Sequence, residues 1–205
     1  MASGDSKLSI CSDALILLGA KPLSSFSEGT DSAQICDRIY DDVRDFVIGM
    51  YPWSFTVKKT QLAQLVDSPV NEYTYKYSLP SDVLGSGVRA VYDSNSTGVT
   101  PINTGWEIIG NELNTNLETV FVDYQHRPTE DVMPTYFVQL LKYYMTWHIA
   151  ESVTDQITKA DYYKTICVGL PSENMRGGMF RQATQIDSQL RPNLIIDDFD
   201  LTNVR

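Results

Sequence analysis

The stretch Tyr73-Thr74-Tyr75-Lys76-Tyr77-Ser78-Leu79-Pro80-Ser81-Asp82 decides the fold. Its large apolar side chains recur at every second position, so one face of an extended strand is aromatic and the other is wet. Pro80-Ser81-Asp82 ends that strand. The period of two persists from about Glu72 to His126. Val88 to Tyr92, Trp106 to Ile109, Glu112 to Asn114 and Thr119 to Gln125 read as further short strands, and Gly110-Asn111 sits where a two-residue hairpin turn belongs. Asp93 to Gly105 is rich in Ser, Thr, Asn, Gly and Pro and reads as a long exposed loop. An antiparallel sheet or small barrel is expected here.

On both sides of this region the period is helical. Leu8, Cys11, Leu15 and Leu18 recur at spacings of three and four, with Ala14 and Leu17 beside them, and Gly19 ends that helix. Thr30, Asp31 or Ser32 caps a second helix with the stripe Ile35, Cys36, Ile39, Tyr40, Val43, Phe46 and Val47, ended by Gly49. Pro52 forbids further regular helix, and Trp53 with Phe55 supplies apolar area at the corner. After Pro134 come Phe137, Leu140, Leu141, Tyr144, Met145, His148 and Ile149, then Ile157, Ala160, Tyr163, Ile166 and Cys167 up to Gly169. Pro171 and Gly177-Gly178 precede a last helix from Met179 to Leu190. The predicted class is α+β: an antiparallel bundle of four to five helices with an inserted antiparallel sheet or small barrel. Residues 1–56 and 129–190 form the bundle, 57–128 the β-rich insert and 191–205 an extended C-terminal tail.

Composition narrows the function. The 205 residues carry 16 Lys+Arg against 26 Asp+Glu, a net charge of −10, and no segment is basic. Affinity built on phosphate neutralisation is therefore not expected. No basic and apolar leader is read at the N-terminus, and the least charged stretch, Val132 to Ala150, mixes Gln139, Lys142, Thr146 and His148 among its apolar residues. A soluble chain made in the cytosol is expected. Cys11, Cys36 and Cys167 fit neither a disulfide framework nor a metal knuckle and read as reduced thiols. Asn95-Ser96-Thr97 matches a glycosylation acceptor, but without a secretory route it reads as the polar tip of a turn.

Chemical motifs are weak. Gly85-Ser86-Gly87-Val88-Arg89-Ala90 matches a GxGxxA fingerprint, yet β- and turn-forming residues follow it, leaving no helix N-terminus for a pyrophosphate. His126 and His148 lie near no ligand-spaced partner and read as core or surface histidines. Asp41, Asp42 and Asp45, interleaved with Arg38 and Arg44, read as a solvated, salt-bridged helix face. Asp197, Asp198 and Asp200 lack the Gly and Glu of a calcium loop. The Tyr73/Tyr75/Tyr77 ladder suits core packing or a subunit contact better than a base- or sugar-stacking platform. No cofactor, metal or catalytic residue is assigned. A hydrolase using Glu107, Glu112 or Asp123 is the rival reading, which requires a cleft with a perturbed titratable group.

Several segments resemble a known family. Ala14-Leu15-Ile16-Leu17-Leu18-Gly19-Ala20, Ser25 to Thr30, Cys36, Tyr40, Val43-Arg44-Asp45 and Tyr51-Pro52-Trp53-Ser54-Phe55 look like the N-terminal pattern of the tail tubular protein A family, the head-to-tail adaptors of short-tailed (podovirus) bacteriophages. Tyr77-Ser78-Leu79-Pro80-Ser81-Asp82, Trp106-Glu107-Ile108 and Tyr124 continue the likeness. Gly19, Arg44, Asp45, Pro52 and Trp53 carry the motif. The resemblance implies a helix bundle with a β-rich insertion, assembled as a dodecameric ring between the portal protein and the tail nozzle protein. DNA would pass through without specific binding, and tail fibres would dock near the nozzle junction. It implies a place in the virion tail or neck after assembly in the bacterial host cytoplasm, with no membrane partner and no enzyme activity. Gly169 to Gly178 departs from the family pattern, which more often runs one long final helix. A virion-associated hydrolase using the sheet carboxylates, or a neck protein of another tail type, stays open as an alternative.

Two expectations about contact follow. The tail, with Leu194, Ile195, Ile196, Phe199 and Leu201 among three aspartates, is expected to anchor on the portal. The loop from Asp93 to Gly105, including Ser94, Asn95, Ser96 and Thr97, is expected to face the nozzle. A chain at −10 repeated around a hole repels DNA phosphates over about 8–10 Å, which suits a conduit. A lone chain is expected before the portal is present.

Overall fold

The computed structural model describes residues 4–190. It is α+β, as the change of period predicts. Helix α1 (Lys7–Leu17) starts at Ser6, whose side chain accepts from the Ser9 backbone N–H while the Ser9 hydroxyl accepts from the Ser6 backbone. It ends at Gly19, which has φ 78° and donates to Ile16, while Ala20 donates to Leu15. That pairing needs the left-handed conformation a glycine adopts without steric cost. Helix α2 (Asp31–Gly49) is capped by Thr30. After the β insert come α3 (Thr135–Thr154), α4 (Ile157–Val168) and α5 (Gly178–Gln189).

Helix α3 is the hub: α1, α2, α4 and α5 all pack on it. Its buried residues Phe137, Leu140, Leu141, Tyr144, Met145 and Ile149 occupy so much of its circumference that only a central position satisfies them. The predicted stripes hold with three exceptions. His148 on α3 is exposed, and Phe46 and Ile157 are mostly exposed. On α2 the buried face runs Ala33, Cys36, Tyr40, Val43, Arg44, Val47 and Ile48, one step round from the apolar stripe, because Arg44 turns inward.

The insert is built of seven short strands: β1 (Val57–Gln61), β2 (Ala63–Gln64), β3 (Tyr75–Ser78), β4 (Val83–Tyr92), β5 (Trp106–Ile109), β6 (Glu112–Thr115) and β7 (Phe121–His126). All pairs are antiparallel, in two sheets ordered β1-β7-β4 and β2-β3-β6-β5. The Gly110-Asn111 hairpin joins β5 to β6 with Ile109 opposite Glu112, as predicted. Sequence reasoning missed β1 and β2. They are edge strands whose Lys58, Lys59, Thr60, Gln61 and Gln64 bury little, so no apolar alternation marks them. Between them Leu62 is buried and its N–H donates to Val120, carrying the chain from one sheet to the other. The two sheets share a core of eight residues: Leu62, Tyr77, Leu79, Val91, Leu113, Val120, Val122 and Tyr124. A separate, larger cluster fills the bundle.

The segment that departs from the resembled family is a tight reversal. Helix α4 stops at Val168, a short 3-10 turn spans Pro171–Glu173, and α5 starts at Gly178. A Cβ on Gly178 would lie 2.3 Å from the Ile166 carbonyl oxygen, so only glycine permits this approach of α5 to the end of α4. The Glu173 carboxylate accepts from the Leu170 N–H at 2.8 Å, and the Gly177 N–H donates to Val168 at 2.9 Å.

Candidate interaction surfaces

Of the motif residues, Arg44, Asp45, Pro52 and Trp53 lie at the junction of bundle and insert, while Gly19 ends α1 within the bundle. Trp53 is fully buried, its indole N–H donates to the Val47 carbonyl at 3.0 Å, and its ring meets those of Tyr51, Phe55, Tyr136, Phe137 and Phe180. Pro52 stops α2 from continuing, which lets Trp53 turn back into the core. Arg44 is buried to 8% exposure, and its guanidinium lies 3.0 Å from Asp41, 3.1 Å from Asp45 and 3.0 Å from Glu130. Asp45 in turn binds Arg127 through both its carboxylate oxygens. The expected helix-face pair of Asp41 with Arg44 is present, but Arg44 also reaches inward to Glu130, across 86 residues of sequence, and among the described residues Arg38 and Asp42 form no ion pair. Helix α2 is thereby tied to the chain leaving β7.

Other ties cross the same junction. The Gln125 side-chain amide donates to Ile48 at 2.7 Å and Tyr51 at 2.9 Å. His126 is buried with Nδ1 2.7 Å from the Thr56 carbonyl, so that nitrogen carries the proton and donates. That makes it a core histidine. The exposed His148 stacks on Trp147 and Tyr144. Cys11, Cys36 and Cys167 are free and buried. The Cys36 thiol beside it, with burial, pushes the Cys11 thiol far above its usual range, and burial does the same to Cys167. Neither is suited to act as a nucleophile at neutral pH.

Gly85 to Ala90 lie within β4. Gly87 faces Leu84 and Gln125 carbonyls where the β4–β7 register slips, so the glycine serves a bulge. Two of the three ladder tyrosines pack inward: Tyr77 is buried, donates to the Leu117 carbonyl at 2.6 Å and is pushed up in pKa by burial, while Tyr75 and Trp106 lean on the same core; Tyr73 precedes β3. The three carboxylates of the hydrolase reading are not brought together. Glu107 and Glu112 lie on β5 and β6 of one sheet, whereas Asp123 lies on β7 of the other, accepting from the Tyr92 hydroxyl at 2.8 Å. Among the described residues no group of three or more His, Cys, Asp or Glu is placed to hold a metal, and no helix is long and apolar enough to cross a membrane.

The predicted contact loop is exposed at Asp93, Asn95, Ser96 and Thr97, with the Ser94 and Ser96 hydroxyls 2.8 Å apart. It is anchored midway: the Ile102 N–H donates to Val91 and the Trp106 indole donates to the Ile102 carbonyl, both at 2.8 Å. Leu194, Ile195, Ile196, Phe199 and Leu201 lie outside the described residues, as do Asp197, Asp198 and Asp200. A second loop with exposed apolar side chains went unread in the sequence. Between β2 and β3, Val66 and Val70 are fully exposed, and Pro69 and Val70 line a shallow depression with Ile109 and Glu112. Two isolated valines in a polar stretch give no periodic signal.

No family model matches the sequence, and no curated protein does. Among solved structures, similarity is found to a chain from the neck of an empty GTA particle computed with C6 symmetry, at 12% identity, 69% coverage of this chain, 77% of that chain and a TM-score of 0.28. An overlap that loose carries no argument about fold or role.

Proposed function

We propose that this chain is a structural component of a phage neck, and specifically a podovirus head-to-tail adaptor. In this reading copies of it form a ring that joins the portal protein to the tail nozzle protein, lines the DNA conduit and transforms no molecule. The observation that carries the reading is the convergence of Arg44, Asp45, Pro52 and Trp53 on the frame that mounts the β insert on the bundle, with Gly19 ending α1 within the bundle. Residues that look like a family pattern in sequence are those that hold this architecture together. Exposed Val66, Val70, Ile109 and Phe46 supply apolar contact area beyond a single chain's own core. The loop Asp93–Thr97 faces the nozzle, and the segment Leu194 to Leu201 anchors on the portal. The test is deletion of residues 191–205 followed by measurement of binding to the portal ring. A loss of affinity is expected, and unchanged affinity would remove the anchor.

A further inference from the structure

Helices α1 and α2 meet along a seam whose register Lys7 fixes. Its ammonium lies 2.8 Å from Asp37 and 3.2 Å from Asp41, and it stands over the Tyr40 ring, 5.4 Å from the centroid. One turn further along α1 is Cys11, and Cys36 immediately precedes Asp37 on α2. Both cysteines are fully buried, both thiols are free, and the two sulfurs hydrogen-bond to each other across the seam. Ala14 on α1 and Ala33 on α2, also fully buried, lie within one turn of them, and side chains that small favour a short distance between helix axes. Cys167 is elsewhere, on α4, where burial alone shifts its thiol.

The hydrogen bond makes the pair unequal. Cys11 donates to Cys36, which lowers the pKa of Cys36 and raises that of Cys11. Cys36 is the sulfur that ionises first, and the thiolate is the attacking form.

We propose that Cys11 and Cys36 are a redox pair that closes to a disulfide within the folded chain and staples α1 to α2. The oxidant is a low-molecular-weight disulfide. The Cys36 thiolate bonds to one sulfur of that reagent, and the other half leaves as a thiolate that takes up the proton Cys36 gave away. Cys11, losing its own proton as it attacks, then bonds to Cys36 and expels the second half, which takes that proton. Two protein thiols are oxidised to one disulfide, and one reagent disulfide is reduced to two thiols. The sulfurs pass from hydrogen-bond contact to a bond of about 2.05 Å. The reagent enters during brief local opening of α1. In a reducing compartment the pair stays as thiols, and in an oxidising one it closes. This inference does not depend on the neck reading.

Closing a loop of roughly 25 residues removes entropy from the unfolded chain. By linkage, the fold favours the bond by the same factor by which the bond favours the fold. The test is a thiol–disulfide equilibrium of the full-length chain with reduced and oxidised glutathione, approached both from the reduced chain refolded out of urea and from the oxidised chain. Samples are quenched with acid, alkylated and mapped by proteolysis and mass spectrometry, which distinguishes the possible pairings without any variant. The equilibrium constant for the 11–36 bond is expected to be roughly a hundredfold larger in native buffer than in urea. The urea midpoint of the oxidised chain should rise by the matching amount, with Cys167 recovered as a thiol. A native constant within roughly tenfold of the urea value, preferential pairing of either cysteine with Cys167, or a midpoint unmoved by oxidation overturns the proposal.

Discussion

The bundle and the insert solve the same problem on different scales. The bundle buries a large cluster around α3, centred on Trp53 and the rings that touch it, and its helices are brought together from both ends of the chain. The insert closes two sheets over eight buried residues and leaves loops with exposed valines and hydroxyls. A small core tolerates less loss but constrains its loops less. The two regions are joined by the Arg44–Asp45–Glu130–Arg127 network and by the Gln125 and His126 hydrogen bonds.

The sharpest way to break that comparison is in the bundle. Trp53→Ala removes the fully buried ring and leaves the Val47 carbonyl unpartnered, and a loss of about 3–5 kcal/mol is expected by urea denaturation. Since the ring also abuts the chain entering the insert, both regions should unfold in one transition. Two separate transitions would show that the junction does not couple them. Leu113→Ala, in the insert core, is expected to cost about 2–5 kcal/mol, with the increase in hydrogen exchange confined to residues 57–126. Spread of that increase into α3 would erase the boundary between the two cores.

At the junction, Arg44→Met keeps the stem but leaves Glu130 without its guanidinium. A loss of about 1.5–3 kcal/mol is expected, and Asp45 keeps Arg127 as a partner. The smallest expected effect is at the start of α2. Hydrogen bonds from Thr30 and Ser24 hold the Glu28 carboxyl down to about 2, below its usual range. A depressed acid stabilises the folded state above its unfolded value, and the contribution is lost as pH falls from about 4.5 through about 2. Amides of residues 24–30 should therefore exchange faster across that window, after correction for intrinsic rates, and Glu28→Gln should flatten the response.

Much of this was legible in the sequence because periodicity reports burial. The aromatic alternation from Tyr75 to Leu79, the Gly110-Asn111 hairpin and most of the α3 stripe place side chains against a core, although Tyr73 precedes β3 and His148 is exposed. What stayed hidden does not involve apolar periodicity. The β1 and β2 strands are held by backbone pairing at an edge, where lysine and glutamine serve as well as valine. Arg44 reads as one more surface charge until its partner Glu130 is folded against it. The exposed Val66 and Val70 and the hydrogen bond from the Ser54 hydroxyl to Asp187 depend on which distant segments meet, a property that spacing along the chain does not encode.

The most direct measurement of the proposed role is electron microscopy, with native mass determination, of the purified chain mixed with the portal protein of its phage. The account predicts a ring of twelve copies seated on the portal around an open hole, formed only when both proteins are present and unaffected by DNA. A chain that never joins the portal, or that turns over a substrate on its own, would contradict it.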